Sequence, residues 1–419
     1  MRILWLSALA ATLATQTAAQ PLVFSPDRAA RIDEAMNRYV ADGSIAGAVT
    51  LVLQNGRTVH QGAYGWADKP AGRRMAFDAI FRIASQSKAI TSTAVMMLVE
   101  EGRIGLGDPV SRYLPSFART TVAEAADTGR RIVPGRRPIT IRDLLTHTAG
   151  ISYGTDRLVA PLYQAAGLGP AAGWGWYTAD KDEPICTTID RLATLPFVAQ
   201  PGERWVYGYN TDVLGCLVER VSGTPLDEFV RTRIFEPLGM RDTYFFLPRD
   251  KAGRLAAVHR RDSTGALVLA PAGARGQGHY VEGPRRSFAG GAGLVSTAAD
   301  YGRFLQMLLD GGAAPDGARL LSPTTVRLMT TNQVDTLFTA EGYGFGLGFQ
   351  ITERPGAGGS PATEGTFGWG GAYQSSYSVD PALGLVTIIL TQHLPNVPFN
   401  VGGRFTALVY QALVPADPR

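Results

Sequence analysis

Strand-forming runs sit toward the two ends of this chain, and helix-forming runs fill the long stretch between them. Near the start, a helical stripe (Ala30, Ile32, Ala35, Met36, Tyr39, Val40) precedes "GAVTLVLQNGRTVHQGAYG", two β-rich runs joined by Asn55-Gly56. Asn-Gly between such runs signals a hairpin, because both corners of the tight turn need positive φ. Strands return late, in "GYGFGLGFQI", "TFGWGGAYQSSYSVD" and "LGLVTIILTQ", and an amphipathic helix at about 405–413 closes the chain. In between, "SQSKAITSTAVMMLVEEGRIG", "PITIRDLLTHTAG", 189–193, "NTDVLGCLVERVSG" and "PLDEFVRTRIFEPLGM" read as helices. Their punctuation agrees: Thr140 as a cap, Pro225 in a first turn, and Gly102, Gly150 and Gly223 as stops. A further helix starts at Thr297-x-x-Asp300. Strands that do not alternate with helices argue against a doubly wound parallel sheet. The expected fold is α+β: one antiparallel sheet built from both ends, flanked by N- and C-terminal helices, with a mostly helical domain inserted. The expected boundaries are 20–95 with 288–419 for the discontinuous α/β domain, and 96–287 for the insert.

The chain has 419 residues, enough for two or three domain-sized units. The first 19 residues stand apart. Met1-Arg2 is a positive start, residues 3–13 are apolar, and Thr17-Ala18-Ala19 are small. This is the layout of a secretory signal peptide, 1–19, cut before Gln20, and implies an exported, periplasmic or extracellular protein. The apolar run is shorter than the roughly 20 residues a span needs, so stable membrane insertion is not expected. The formal net charge is +4, but the Arg-Arg pairs are scattered from Arg73-Arg74 to Arg285-Arg286. Nucleic-acid binding wants a concentrated basic stripe, so no such partner is expected. Cys186 and Cys216 are the only cysteines; in an oxidising compartment they are either a disulfide or two buried thiols. His60, His147, His259, His279 and His393 are isolated, and no metal site or cofactor is expected.

Two serines compete as nucleophile. Gly150-Ile151-Ser152-Tyr153-Gly154 matches the G-x-S-x-G elbow of the α/β-hydrolases. An elbow needs a strand before the serine and a helix after it, whereas Ser152 follows a helix and its stop. The second is Ser85-Gln86-Ser87-Lys88. Residues three apart share a helix face, which brings Ser85 and Lys88 together at a helix start, where free N–H groups favour negative charge. A serine hydroxyl needs a neighbouring base, and a lysine can serve only in its neutral form, which burial favours. Tyr207, in "PGERWVYGYNTDVLG", is a candidate acid/base. The glycines of "FGWGGAYQSSYSVD" suit a strand approached closely by a backbone or ligand, with the Ala372 N–H aimed at it.

With these motifs the chain resembles the serine β-lactamase and penicillin-binding-protein superfamily, and more narrowly the class C β-lactamase-like family VIII carboxylesterases. The likeness runs through "LLTHTAGI", "PGERWVYGYNTDVLG", "EPLGM", "GGAGLVSTAADYGRF" and "WGGAYQSSYSVDP". It implies an acyl-enzyme on Ser85, with Lys88 and Tyr207 handling the proton and the Ser85 and Ala372 N–H groups forming an oxyanion hole. It also implies that His147 belongs to a structural signature. Two positions depart from the lactamase pattern. The Y-x-N motif has Tyr209 at its third position, with Asn210 one later, and the K-T-G site reads Trp369-Gly370-Gly371. Without that lysine an anionic substrate lacks its partner. The expected substrate is a neutral small-molecule ester, contacted by Trp369, Gly370, Gly371, Tyr209, Asn210 and Tyr153. The loop carrying Trp174, Trp176 and Tyr177 is a candidate wall of the acyl pocket. The alternatives are a β-lactamase or D-alanyl-D-alanine peptidase, and a non-catalytic scaffold on the same fold.

Overall fold

The computed structural model describes residues 21–127, 129–168, 178–273, 276–394 and 399–416. The expected signal peptide and the aromatic loop residues Trp174, Trp176 and Tyr177 lie outside them. The Asn-Gly signal is realised in full. Strands β1 (Gly47–Gln54) and β2 (Arg57–Asp68) pair antiparallel across Asn55 (φ 50°) and Gly56 (φ 75°). They join β3 (Arg73–Arg74), β4 (Tyr343–Phe345), β5 (Gln350–Thr352), β6 (Phe367–Gly370), β7 (Ser376–Asp380) and β8 (Leu385–Thr391). The order across this eight-stranded sheet is β4-β5-β6-β7-β8-β1-β2-β3, every pair antiparallel. β8 and β1 meet in the middle, so the first and last strand-forming runs are neighbours.

Every residue of β1 is buried, because helices cover both sheet faces. On one face α1 (Pro26–Ala41) and the C-terminal helix pack Ile32, Met36, Phe405 and Val409 on Val52 and Ile389. On the other, Tyr301, Phe304 and Leu305 meet Leu51, Leu53 and Ile388. α2 (Ser87–Glu100) runs through this second layer, buried on every side from Ser87 to Leu98. A helix buried all round belongs to a core, and this one fixes Lys88 there.

Local detail departs from expectation in three places. α3 (Ile141–Leu145) stops before Gly150. His147 takes φ +59°, and the Thr148 and His147 N–H groups close back onto Asp143 and Leu144, a Schellman closure with histidine where glycine is usual. The helix expected at 189–193 is Ile185–Leu192, set by Pro184 before it. α4 (Asn210–Ser222) has Tyr209 as its N-cap, with no side-chain cap bond. α5 (Ala298–Leu309) starts at Thr297 as expected, but the last helix, α6 (Val401–Tyr410), begins before 405. Asn400 caps it through Gly403 N–H at 2.9 Å, and the glycine pair behind the cap hides the periodicity. Leu413–Pro415 then pairs with Leu22–Phe24, tying the two ends together.

Candidate active site

Ser85 stands where a 3-10 turn (Ala84–Gln86) feeds α2. The residue before it, Ala84, has φ +45°, a conformation that costs an L residue of order 1–3 kcal/mol. A strained turn thus presents the serine, though it is not the turn that carries G-x-S-x-G. Lys88, one helical turn on and 3% exposed, points Nζ at three oxygens. It donates to Tyr153 OH at 2.9 Å and Gly291 O at 2.8 Å, and approaches Ser85 Oγ at 3.5 Å. Nζ also lies 4.7 Å from the centre of the Tyr207 ring.

Tyr207 comes from the turn before α4. Its oxygen accepts a hydrogen bond from the Trp369 indole N–H at 3.0 Å. That donor is the chemical content of the Trp369-Gly370-Gly371 sequence: the indole acts as more than an apolar wall. β5 pairs with β6 only as far as Gly368, so the edge from Trp369 onward is open. A Cβ on Gly371 would lie 2.7 Å from Ile83 O, so this edge runs tight against the segment leading into Ser85. Gln374 N–H closes a turn onto Gly371 O at 2.9 Å, with Ala372 at its first corner. A turn of this kind does not use the N–H of that corner. Ser85 and Ala372 both border the cleft.

The tyrosines divide by environment. Burial, then Tyr207, Asp212 and Tyr209, hold the Tyr153 hydroxyl well above its ordinary pKa, so it stays a phenol. Asp212, on α4, is fully buried; burial pushes its carboxyl up to about 6 against the pull of Lys88. Its Oδ1 accepts from Thr178 (3.0 Å) and Gly291 N–H (3.3 Å). A Cβ on Gly291 would sit 2.4 Å from Oδ2, so glycine is required there. Sequence reasoning missed Asp212. Its only signal was an acid in the first turn of an otherwise apolar helix, which also reads as an ordinary helix-start charge.

The cleft holds about 610 Å³ and runs from Ser85 past Trp369 to Gln350, Thr352 and Thr406. No charged side chain among the described residues lines it. Tyr153, Trp369, Gly370 and Gly371, read from the sequence as substrate contacts, line it. Tyr209 and Asn210, expected to touch substrate, are not among its lining residues. Tyr209 is buried edge-on to Tyr153, 4.9 Å between ring centres. Asn210 spends its amide N–H groups on His147 Nδ1 (2.9 Å), Ile151 O and Val206 O, because α4 opens one residue too early to aim it outward. His147 is buried behind the Tyr207 ring, and burial, then the Lys88 charge, keeps its pKa well below the usual range. Ser152 is buried too, its Oγ accepting Gly154 N–H at 3.1 Å. Cys186 and Cys216 form a disulfide joining Ile185–Leu192 to α4.

The family described as Beta-lactamase matches residues 32–411. The chain belongs to the beta-lactamase family. Within it, the likeness is to the esterase branch. Protein Rv1367c of Mycobacterium tuberculosis is 38% identical over 386 residues, 87% of this chain and 90% of that one. Esterase EstB of Burkholderia gladioli is 34% identical over 397 residues, covering 90% of this chain and 94% of its own length. Among solved structures, EstCE1, a hydrolase with promiscuous acyltransferase activity, superposes with a TM-score of 0.75 at 28% identity, covering 92% of this chain and 98% of its own. The fold is therefore that of the β-lactamases and penicillin-binding proteins, and the chain is a member of a serine hydrolase superfamily with esterase relatives.

Proposed function

We propose that this protein is an exported serine carboxylesterase that works through an acyl-enzyme on Ser85. The observation that carries the reading is the meeting of Ser85, Lys88, Tyr207 and the Trp369 N–H at the end of an uncharged cleft. Tyr207, with Lys88 over its ring, takes the Ser85 hydroxyl proton as Oγ attacks the ester carbonyl. The resulting oxyanion is received by the Ser85 and Ala372 N–H groups, a contribution of roughly 2.7–4 kcal/mol per donor in comparable sites. Tyr207 returns the proton to the departing alkoxide. Water then repeats the sequence on the acyl-enzyme and releases the acid. Tyr153, held as a phenol, supports Lys88 without competing as a base. An uncharged cleft suits a neutral ester better than the carboxylate of a penicillin or a cell-wall peptide, which would enter without a counter-ion.

The test is to assay Ser85→Ala, Lys88→Ala, Tyr207→Phe and Ser152→Ala on a short-chain aryl ester and a chromogenic cephalosporin. Ester turnover should vanish in the first, collapse in the next two and survive in the fourth. Ester activity surviving in Ser85→Ala refutes the reading. Strong cephalosporin turnover with weak ester turnover replaces it by the lactamase alternative.

A further inference from the structure

A second cavity, of about 510 Å³, shares no lining residue with the catalytic cleft. That volume falls within the range of about 300–1,000 Å³ typical of small-molecule sites. Its apolar side is aromatic: Phe245 and Phe246 flank Phe288, with ring centres 5.6 and 6.1 Å away, and Phe235 and Met240 complete it. Its backbone is irregular. The helical run Leu226–Val230 continues as a π-helical turn, Arg231–Phe235, a form that recurs at functional sites. Arg285, which also lines the cavity, has φ +58°.

The charges do not cancel. Arg231 is paired with Glu236. Arg285 is tethered through Nη2 to Leu247 O (2.7 Å) and Val281 O (2.6 Å). Asp242, next to Arg241, is taken by Lys251 and Arg254. Arg241 itself has no acceptor for its guanidinium among the described residues, although it borders the cavity. Asp227 is the remaining acid, and burial pushes its carboxyl upward, against ionisation. An aromatic floor with an uncommitted guanidinium at the rim complements one kind of molecule: an apolar tail ending in an anion.

We propose that this cavity is a second, non-catalytic binding site for an amphipathic monocarboxylate, with its tail among Phe245, Phe246 and Phe288 and its carboxylate on Arg241. Acids of this class are also what ester hydrolysis releases, but the site is argued from its own residues and does not depend on the catalytic reading. The probe is dodecanoate, kept below its micellar concentration and titrated calorimetrically into the wild type, Arg241→Gln, Phe246→Gln and Trp369→Leu. Arg241 is exposed, so its replacement leaves the fold intact. Saturable binding is expected in the wild type and in Trp369→Leu, weakened roughly tenfold in Arg241→Gln, as for loss of a charged hydrogen bond. It should also weaken in Phe246→Gln, and dodecan-1-ol should bind at least about tenfold more weakly than dodecanoate. Binding lost in Trp369→Leu and kept in Arg241→Gln assigns the ligand to the catalytic cleft and overturns the proposal. So does absent binding, or equal binding of the alcohol.

Discussion

At the scale of single residues, the meeting of Ser85 with Lys88 was legible and its surroundings were not. Ser85 and Lys88 could be paired from spacing alone, because a helix puts residues three apart on one face. Trp369 was read as a substrate contact; its N–H on Tyr207 needed the register of β6 against the turn before α4, which no local pattern encodes. Trp369→Phe keeps the ring and removes the donor. The expected result is a fall in kcat of about fivefold with KM nearly unchanged, since a neutral hydrogen bond is worth about 1 kcal/mol and, in the proposed mechanism, this one acts on the proton-transferring group. Steady-state kinetics on an aryl ester decides it; a change confined to KM would mean that Trp369 only binds substrate. Asp212 makes a stability prediction. Its folded-state pKa, about 6, lies above the ordinary 3.8, so its contribution is complete below the unfolded value and is lost as pH rises through about 6. Asp212→Asn should therefore raise the melting temperature at pH 8 and leave it nearly unchanged at pH 4. A melting temperature lowered equally at both pH values would contradict this.

Individual elements divide by whether their signals are local. The hairpin β1–β2 and the starts of α3 and α5 were readable because Asn-Gly, Thr140 and Thr297 act through their own backbone neighbours. The end of α3 was not, because His147 takes the left-handed position and is held there by tertiary contacts with Asn210 and Tyr207 rather than by its own preference. Thr140 and Asp143 cap one another, and Asp143 also pairs with Arg137. Thr140→Ala should cost about 1 kcal/mol in urea unfolding, the ordinary worth of such a cap. The disulfide anchors α4, the helix whose preceding turn carries Tyr207. Cys186 and Cys216 are 30 residues apart, so replacing both by serine should cost roughly 3–4 kcal/mol on the chain-entropy account. Unfolding with and without reductant gives the same quantity in the native chain. An unchanged midpoint under reducing conditions would mean that the bridge does not constrain the helix pair.

For the whole molecule, the α+β arrangement was legible because strand-forming runs at both ends can complete one sheet only by meeting in its middle, as β8 and β1 do. The interior chemistry of that arrangement was not, because a histidine reads alike whether it faces water or core. Four histidines are buried among the described residues, His60 within β2 and three at the seams of the arrangement. His393 follows β8 and accepts Ala46 N–H at 2.9 Å; His259 packs near it, 6.2 Å between ring centres; His147 lies behind the site. Burial depresses all three, and with help from His259 and Arg261 it takes His393 down to about 3. The unfolded chain binds these protons near pH 6.5 and the folded chain does not. Their contribution is therefore present above 6.5 and is lost progressively as pH falls below it, for His393 down to about 3. At about 1.4 kcal/mol per unit, His393 alone accounts for up to roughly 4–5 kcal/mol across that window, a large share of the 5–15 kcal/mol that holds an ordinary domain together. The fold should thus be acid-labile well above the pH at which its surface carboxylates protonate. His393→Gln offers the Ala46 N–H an amide oxygen that cannot titrate. Its melting temperature should fall less steeply than that of the wild type between pH 6.5 and 4, even if it starts lower at pH 8. Parallel slopes for the two proteins would place the acid sensitivity in the carboxylates instead.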